Sequence, residues 1–403
     1  MSRFSYKNRP LGLYIHIPFC ASKCGYCDFY SVTDEGLKKS YVSALLTHIR
    51  EYGRLCSGYT VDTVYLGGGT PTCLGAKYLG RILQEVRGKF PLADDAEITV
   101  ECNPESTDKK VLDMMKKQGV NRLSFGVQSA HDAELEDIGR IHTFEQAKAA
   151  VGLAREKGFD NISLDLMYGL PGQSGEDFLQ SVEQCLALAP KHLSCYGLKL
   201  EPDTRMGREQ PQLPDDDAQA DTYLAMCDML RENGFEHYEI SNFAKPGFRS
   251  RHNLKYWDLS EYLGLGPSAH SFMNGRRFAF ARDIKAYING EDILQDEEEV
   301  PSFQRQGEYL MVRLRTSEGI DFLDLEKRYN IDSTPYEEAF RALMGQELVA
   351  HQGTRWYLTE KGFLVSNSII NAVVEAGQPE KQAEASRNRQ GAAGACAANS
   401  GFQ

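Results

Sequence analysis

Three closely spaced cysteines are the residues of this chain best suited to chemistry. Cys20, Cys24 and Cys27 follow the spacing C-x3-C-x2-C within the run IPFCASKCGYCDF. Thiolates at such short spacing converge on one metal centre, and iron–sulfur clusters are held in this way. A four-iron cluster normally takes four cysteines, so a cluster held by these three would leave one iron open to a small molecule.

Zinc and disulfide chemistry fit the cysteine pattern less well. A structural zinc site uses four ligands, usually in two separated pairs, and no second pair is present. The first ten residues, MSRFSYKNRP, lack the apolar core of an export signal, which predicts a cytoplasmic chain in which disulfides are rare. The other cysteines are scattered, as is typical of buried thiols: Cys56, Cys73, Cys102, Cys185, Cys195, Cys227 and Cys396.

The elements that must position these cysteines follow a β-α rhythm. Apolar runs alternate with helical patterns, which predicts parallel strands joined by right-handed crossovers. We therefore predict an α/β fold, a partial, open (β/α)6 barrel. The six predicted strands are 11–17, 61–66, 96–101, 122–127, 161–167 and 192–199.

Further polar residues follow the ends of these strands, and the carboxyl ends of strands form the active site of β-α barrels. Close to these ends lie the cysteine loop, Gly67–Thr70, Glu101, Gln128 and Asp165. Each has a structural alternative, since a glycine run can be a tight turn, Glu101 a helix charge, and buried Gln128 or Asp165 a partner of backbone groups. Arg140 is either a solvated helix charge or a partner for a cofactor carboxylate.

The sequence divides into four segments. Residues 1–240 contain the barrel pattern, and 241–300 form a connecting segment. Residues 301–375 combine short helices with a hairpin around Gln352-Gly353, which predicts a small winged-helix-like α+β domain. Residues 376–403 are rich in small and polar residues, which predicts a disordered tail.

Charge and hydropathy exclude several function classes. The 403-residue chain has a net charge of −12 and a pI of about 5.4, whereas nucleic-acid and anionic-membrane binding need a basic surface. No apolar run approaches the length of a membrane span. We expect a cytoplasmic protein that neither binds nucleic acid nor crosses a membrane.

The cysteine motif matches the signature of radical S-adenosylmethionine (SAM) enzymes. From about Leu11 to Val374 the chain resembles the branch of that superfamily that contains oxygen-independent coproporphyrinogen III dehydrogenase and the heme chaperones. The resemblance implies a 4Fe-4S cluster ligated by Cys20, Cys24 and Cys27, with SAM chelating the open iron. In radical SAM enzymes, transfer of one electron splits SAM into methionine and a 5′-deoxyadenosyl radical.

The resemblance also implies SAM contacts. Tyr14, Gly68 and Glu101 match positions that contact the SAM beside the cluster. The positions that bind a second SAM in the dehydrogenase are matched by six residues of this chain: Tyr26, Gly69, Thr70, Gln128, Arg140 and Asp165.

Three departures from the dehydrogenase pattern favour the chaperones. Phe29 stands where the dehydrogenase has a fourth cysteine, as it does in the chaperones. Only thirteen residues precede Tyr14, so the longer amino-terminal element of the dehydrogenase is missing. His252–Trp257 matches the HNxxYW motif that is linked to heme handling in the chaperones. By itself, His252 could equally be a polar corner that pins a loop.

The resemblance implies a heme chaperone that holds heme and passes it to apoproteins, using the cluster and SAM. Membrane respiratory proteins are candidate acceptors, and a homodimer is a candidate assembly. The main alternative is the dehydrogenase itself, which would decarboxylate coproporphyrinogen III. A ferredoxin-like electron carrier is a third class, but a SAM pocket is more than that role requires.

Overall fold

The computed structural model describes residues 8–377, which form two compact units. Within the described residues, the first unit contains 8–237 and 241–300, and the second contains 238–240 and 301–377. The predicted disordered tail lies outside the described residues from position 378 onward, as does Cys396.

Six parallel strands form the centre of the first unit, as the apolar runs predict. Neighbouring strands pair in chain order, and the alternating apolar side chains of β1, including Leu13 and Ile15, are fully buried. Strands covered on both faces read as near-continuous apolar runs, which is why the sequence pattern identifies them. Their bounds are β1 (Arg9–Ile17), β2 (Tyr59–Gly68), β3 (Leu92–Cys102), β4 (Arg122–Gln128), β5 (Ile162–Tyr168) and β6 (His192–Gly197).

Helices follow the strands, and side-chain caps fix where several of them begin. Thr143 and Gln146 form a capping box at the start of one helix, and Ser174 and Asp177 form another at the next. Asp108 caps a third through the backbone N–H of Val111. The bounds are α1 (Lys38–Leu55), α2 (Gly75–Lys89), α3 (Lys109–Lys117), α4 (Asp132–Asp137), α5 (Phe144–Glu156), α6 (Gly175–Leu186), α7 (Arg205–Glu209) and α8 (Asp216–Glu232).

The segment 241–300, expected from the sequence to be a connector, belongs to the first unit and extends its sheet at both edges. Strand β8 (Asn242–Ala244) pairs antiparallel with β6, and β9 (Tyr262–Leu265) pairs parallel with β1. The remaining elements are β7 (Glu236–Glu239), α9 (Arg251–Trp257), β10 (His270–Met273), β11 (Arg276–Phe280), α10 (Ile284–Asn289) and β12 (Leu294–Glu299). From β12 as far as β8, the strand order is β12-β11-β10-β9-β1-β2-β3-β4-β5-β6-β8.

The second unit combines helices with a small antiparallel sheet, which confirms the predicted α+β character of the carboxyl-terminal domain. Its strands pair in the order β13-β15-β14, and Phe340 packs on the buried Trp356 with ring centroids 5.5 Å apart. The bounds are α11 (Ser302–Arg313), β13 (Ile320–Asp321), α12 (Phe322–Tyr329), α13 (Thr334–Leu343), β14 (Val349–Gln352), β15 (Arg355–Leu358), α14 (Glu360–Leu364) and α15 (Ser366–Ala376).

None of the helices between residues 8 and 377 combines the length and the apolar character needed to cross a bilayer.

Candidate functional site

A cavity of about 600 Å³ lies in the first unit where the parallel strands end. The carboxyl ends of β1 to β6 and the loops that follow them supply most of its wall, as expected for a β-α barrel. Eleven of the thirteen predicted site residues line this cavity: Cys20, Cys24, Cys27, Tyr26, Gly68, Gly69, Thr70, Glu101, Gln128, Arg140 and Asp165.

Backbone hydrogen bonds hold the cysteine loop at several points. The N–H of Cys20 donates to the carbonyl of Val32 at 3.1 Å, which closes the base of the loop. At the tip, the N–H of Gly25 donates to Ile138 O at 2.9 Å, and Gly25 O accepts from Met206 N at 2.9 Å. The three thiols are thus carried by a loop whose position is set by the barrel and not by the cluster alone.

Two side chains donate hydrogen bonds to cysteine sulfurs. The Thr70 hydroxyl lies 3.6 Å from Cys20 Sγ, and Arg140 Nη1 lies 3.7 Å from Cys24 Sγ. Such contacts favour the thiolate, the form that ligates iron, and at Cys20 they act against burial, which raises the pKa of the thiol. Arg140 Nε is also buried without a hydrogen-bond partner among the described residues. The three thiols with these donors therefore fit a cluster that carries an anionic ligand.

The glycine loop and Glu101 form one hydrogen-bonded group beside the cysteines. Glu101 Oε2 accepts from the N–H of Gly68 at 3.0 Å, and Oε1 accepts from the Tyr65 hydroxyl at 2.8 Å. Gly68 has φ of +106°, and a Cβ there would come within 2.4 Å of the His16 ring. Position 68 therefore requires glycine, both for its backbone conformation and for its close approach to β1.

Burial perturbs the Glu101 carboxyl. Desolvation, with a smaller contribution from Asp165, raises the pKa of Glu101 to about 7, against the two hydrogen bonds that favour the ionised form. A carboxyl that titrates near neutral pH in a cavity is suited to accept a hydrogen bond from a ligand ammonium or ribose hydroxyl.

Gln128 and Asp165 line the part of the cavity wall that β4 and β5 supply. Gln128 has φ of +71° at a register shift between β4 and β5, and a bulge of this kind re-aims a side chain at a functional site. Asp165 accepts from the Ser124 hydroxyl at 3.1 and 3.2 Å, and burial raises its pKa. These hydrogen bonds orient the Asp165 carboxyl within the cavity.

Tyr14 and His252 are the two predicted site residues that do not line the cavity. The Tyr14 hydroxyl bonds to His16 Nδ1 at 3.0 Å, and its ring stacks on Tyr65. The His252 side chain is buried, with the residue only 1% exposed, and both ring nitrogens have hydrogen-bond partners: Thr63 Oγ1 at 2.8 Å and the Tyr256 hydroxyl at 2.9 Å.

Helix α9, which carries the HNxxYW motif, is anchored to β2 and β3 by side-chain contacts. The Glu97 carboxylate accepts from the backbone N–H groups of Arg251 and His252, both at 3.1 Å. Lys255 pairs with Asp62 at 2.8 Å in a largely buried ion pair. These contacts are what we expect if His252 has the structural role of holding a loop in place. A role of His252 in heme binding stays a prediction.

Three residues that line the cavity were not predicted as site residues from the sequence. Asn103 Oδ1 accepts from Arg140 Nη2 at 2.9 Å, and Asn253, the second residue of the HNxxYW motif, reaches the wall directly. Arg122 is a fully buried cation at the start of β4 that also lines the cavity. Asn103 and Asn253 adjoin residues that the motifs single out, whereas nothing in the local sequence distinguishes Arg122.

Comparison with known proteins agrees with this geometry. Residues 14–185 match the radical SAM superfamily, and residues 304–365 match the HemN C-terminal domain. Curated proteins named heme chaperone HemW are similar over most of the chain. The Haemophilus influenzae protein is 34% identical over 90% of this chain and 97% of its own length, and the Escherichia coli protein is 36% identical with the same coverage. The chain belongs to the HemW family.

Membership of this radical SAM family implies a 4Fe-4S cluster and SAM as cofactors. Among solved structures, coproporphyrinogen III oxidase (HemN) from Escherichia coli superimposes with a TM-score of 0.80, covers 92% of this chain and is 24% identical. That likeness confirms the predicted fold of barrel plus carboxyl-terminal domain.

Proposed function

We propose that this protein binds heme and transfers it to apoproteins, with the cluster and SAM held in the barrel cavity. Its membership of the HemW family carries the proposal, because the relatives named heme chaperone HemW match about 90% of the chain. The proposed acceptors are heme-dependent apoproteins, with respiratory proteins as candidates, and the proposed location is the cytoplasm.

The cavity supports the cofactor part of the proposal. Cys20, Cys24 and Cys27 would hold the cluster, and the Gly68 backbone with the Glu101 carboxylate, which its N–H orients, would hold SAM beside it. A reduced cluster with bound SAM supplies one-electron chemistry. Thr70 and Arg140 donate hydrogen bonds that would orient the sulfur ligands Cys20 and Cys24.

A paired assay separates the proposal from the dehydrogenase alternative. Anaerobically reconstituted protein is titrated with hemin, mixed with a heme-free globin, and in parallel incubated with coproporphyrinogen III, SAM and reductant. We expect hemin binding and transfer without protoporphyrinogen, because Phe29 stands where the dehydrogenase pattern has its fourth cysteine. Turnover of coproporphyrinogen III would instead show that the protein acts as the dehydrogenase.

The buried contacts of His252 make a separate prediction. His252→Ala leaves the Thr63 and Tyr256 hydroxyls without their ring partner, which we expect to lower the free energy of unfolding by about 1–3 kcal/mol. Denaturant unfolding of cluster-free protein measures the loss. The exposed His270 is the matched control, since His270→Ala should leave stability unchanged. If His252→Ala is fully stable yet loses hemin binding, His252 is a heme residue and not a structural one.

A further inference from the structure

Large apolar side chains are exposed around the mouth of the barrel cavity. Phe29 is 68% exposed, Ile141 is 54% exposed and Tyr196 is 42% exposed, and all three line the cavity. They come from three separate segments: the cysteine loop, the connection between α4 and α5, and the end of β6. Apolar side chains gathered around a polar cavity mark a surface that contacts a ligand or partner.

Cations share this mouth with the apolar side chains. Lys23, Lys199 and Arg282 all line the cavity and are exposed. Lys199 pairs with Glu201 at 2.6 Å, and Arg282 pairs with Asp28 at 3.4 Å. Exposed ion pairs of this kind contribute little to stability, so Lys199 and Arg282 can exchange their present partners for an anionic ligand at small cost.

We propose that this mouth, formed by Phe29, Ile141 and Tyr196 with Lys199 and Arg282, is the surface that binds heme. This inference rests on the proposed function, and it specifies where on the protein the heme binds. Heme combines a broad apolar face with two carboxylates on one edge. The three apolar side chains match the face, and the two cations match the propionates.

The interior of the cavity stays available when heme lies over its mouth. The three cysteines, Gly68 and Glu101 line the same cavity but are less exposed than the side chains of the mouth. Heme at the mouth would therefore lie beside the cluster and SAM without displacing their ligands. The α9 helix offers no comparable surface, because His252 and Lys255 are buried in contacts with β2.

A charge introduced on the apolar side of the mouth tests the proposal. The double variant Phe29→Glu/Ile141→Glu should bind hemin about tenfold to a hundredfold more weakly, because it removes apolar contact area and places carboxylates against the macrocycle. Leu55→Glu is the matched control, since Leu55 is 74% exposed outside the cavity. Absorbance titration with hemin gives the affinities, and iron content and SAM binding are measured on the same preparations.

The cations are tested with a second probe. Lys199→Glu/Arg282→Glu should weaken hemin binding but leave the binding of hemin dimethyl ester, whose propionates are blocked, close to wild type. Lys285→Glu changes an exposed charge outside the cavity and serves as the control. A loss of affinity that is equal for both probes would contradict propionate recognition by Lys199 and Arg282.

The outcomes distinguish this inference from the proposed function. If the wild-type protein binds no hemin, the proposed function is wrong. If the wild type binds hemin and the Phe29→Glu/Ile141→Glu protein binds it equally well, the function stands and the mouth is not the heme site. If the double variant also loses iron, the hemin affinity of the single variant Ile141→Glu is the deciding measurement, because Ile141 lies outside the cysteine loop. Loss of hemin in a folded His252→Ala protein, with the Ile141→Glu protein unaffected, would place heme at α9.

Discussion

Serine at position 20, 24 or 27 is expected to abolish the reconstituted cluster. The three thiols line one cavity, and no other cysteine among the described residues lines it except Cys102. Loss of one thiolate from a three-cysteine site leaves two ligands, too few to retain a cluster of this type. The measurements are iron content, which should fall from about four per chain to near zero, and the broad visible absorbance of thiolate-bound iron.

Cys73 provides the sharpest control for this experiment. Its thiol lies against the backbone of Ala21 in the cysteine loop, yet it does not line the cavity. Cys73→Ser and the more distant Cys56→Ser should keep the full iron content. Burial raises the pKa of the Cys102 thiol, and that thiol donates to Val100 O at 3.5 Å, so Cys102→Ser should keep the cluster as well. Loss of iron in any of these three variants would show that the predicted ligand set is incomplete.

The barrel strands could be predicted from the sequence because parallel strands, buried on both faces, appear as short runs of apolar residues. Each predicted run lies within or closely overlaps a strand of the structure: the run 61–66, for example, lies inside β2, which extends over Tyr59–Gly68. Since the carboxyl ends of parallel strands meet at one edge, residues as far apart as Cys20 and Asp165 could be assigned to one cavity without any knowledge of their contacts.

The part that sequence could not predict depends on pairing between distant segments. Strand β9 has only four residues, and it belongs to the sheet because Gly12–Ile15 of β1 lies beside it. No local pattern records a partner some 250 residues away. The burial of His252 has the same origin, because its partner Thr63 lies on β2.

The SAM contacts can be tested most directly at Glu101. Glu101→Ala removes the acceptor of the Gly68 N–H and a charge-assisted contact to SAM, which should cost about 1.5–3 kcal/mol, or roughly a tenfold to hundredfold loss of affinity. Calorimetric titration of the reconstituted protein with SAM measures this loss. Glu105→Gln is the matched control, because it removes a carboxylate from the wall of the same cavity.

The raised pKa of Glu101 gives this contact a pH dependence. Without SAM, a carboxyl whose folded pKa is raised to about 7 favours the folded state at low pH, and that contribution is lost as the pH rises toward 7. Bound SAM carries a sulfonium cation and N–H donors, which would favour the ionised form of a carboxylate beside it, so the gain in thermal stability on adding SAM should increase from about pH 6 to about pH 8. Glu101→Gln, which cannot ionise, should flatten this dependence, whereas Glu105→Gln should retain it. A SAM-induced gain that is independent of pH in the unaltered protein would remove Glu101 from the SAM site.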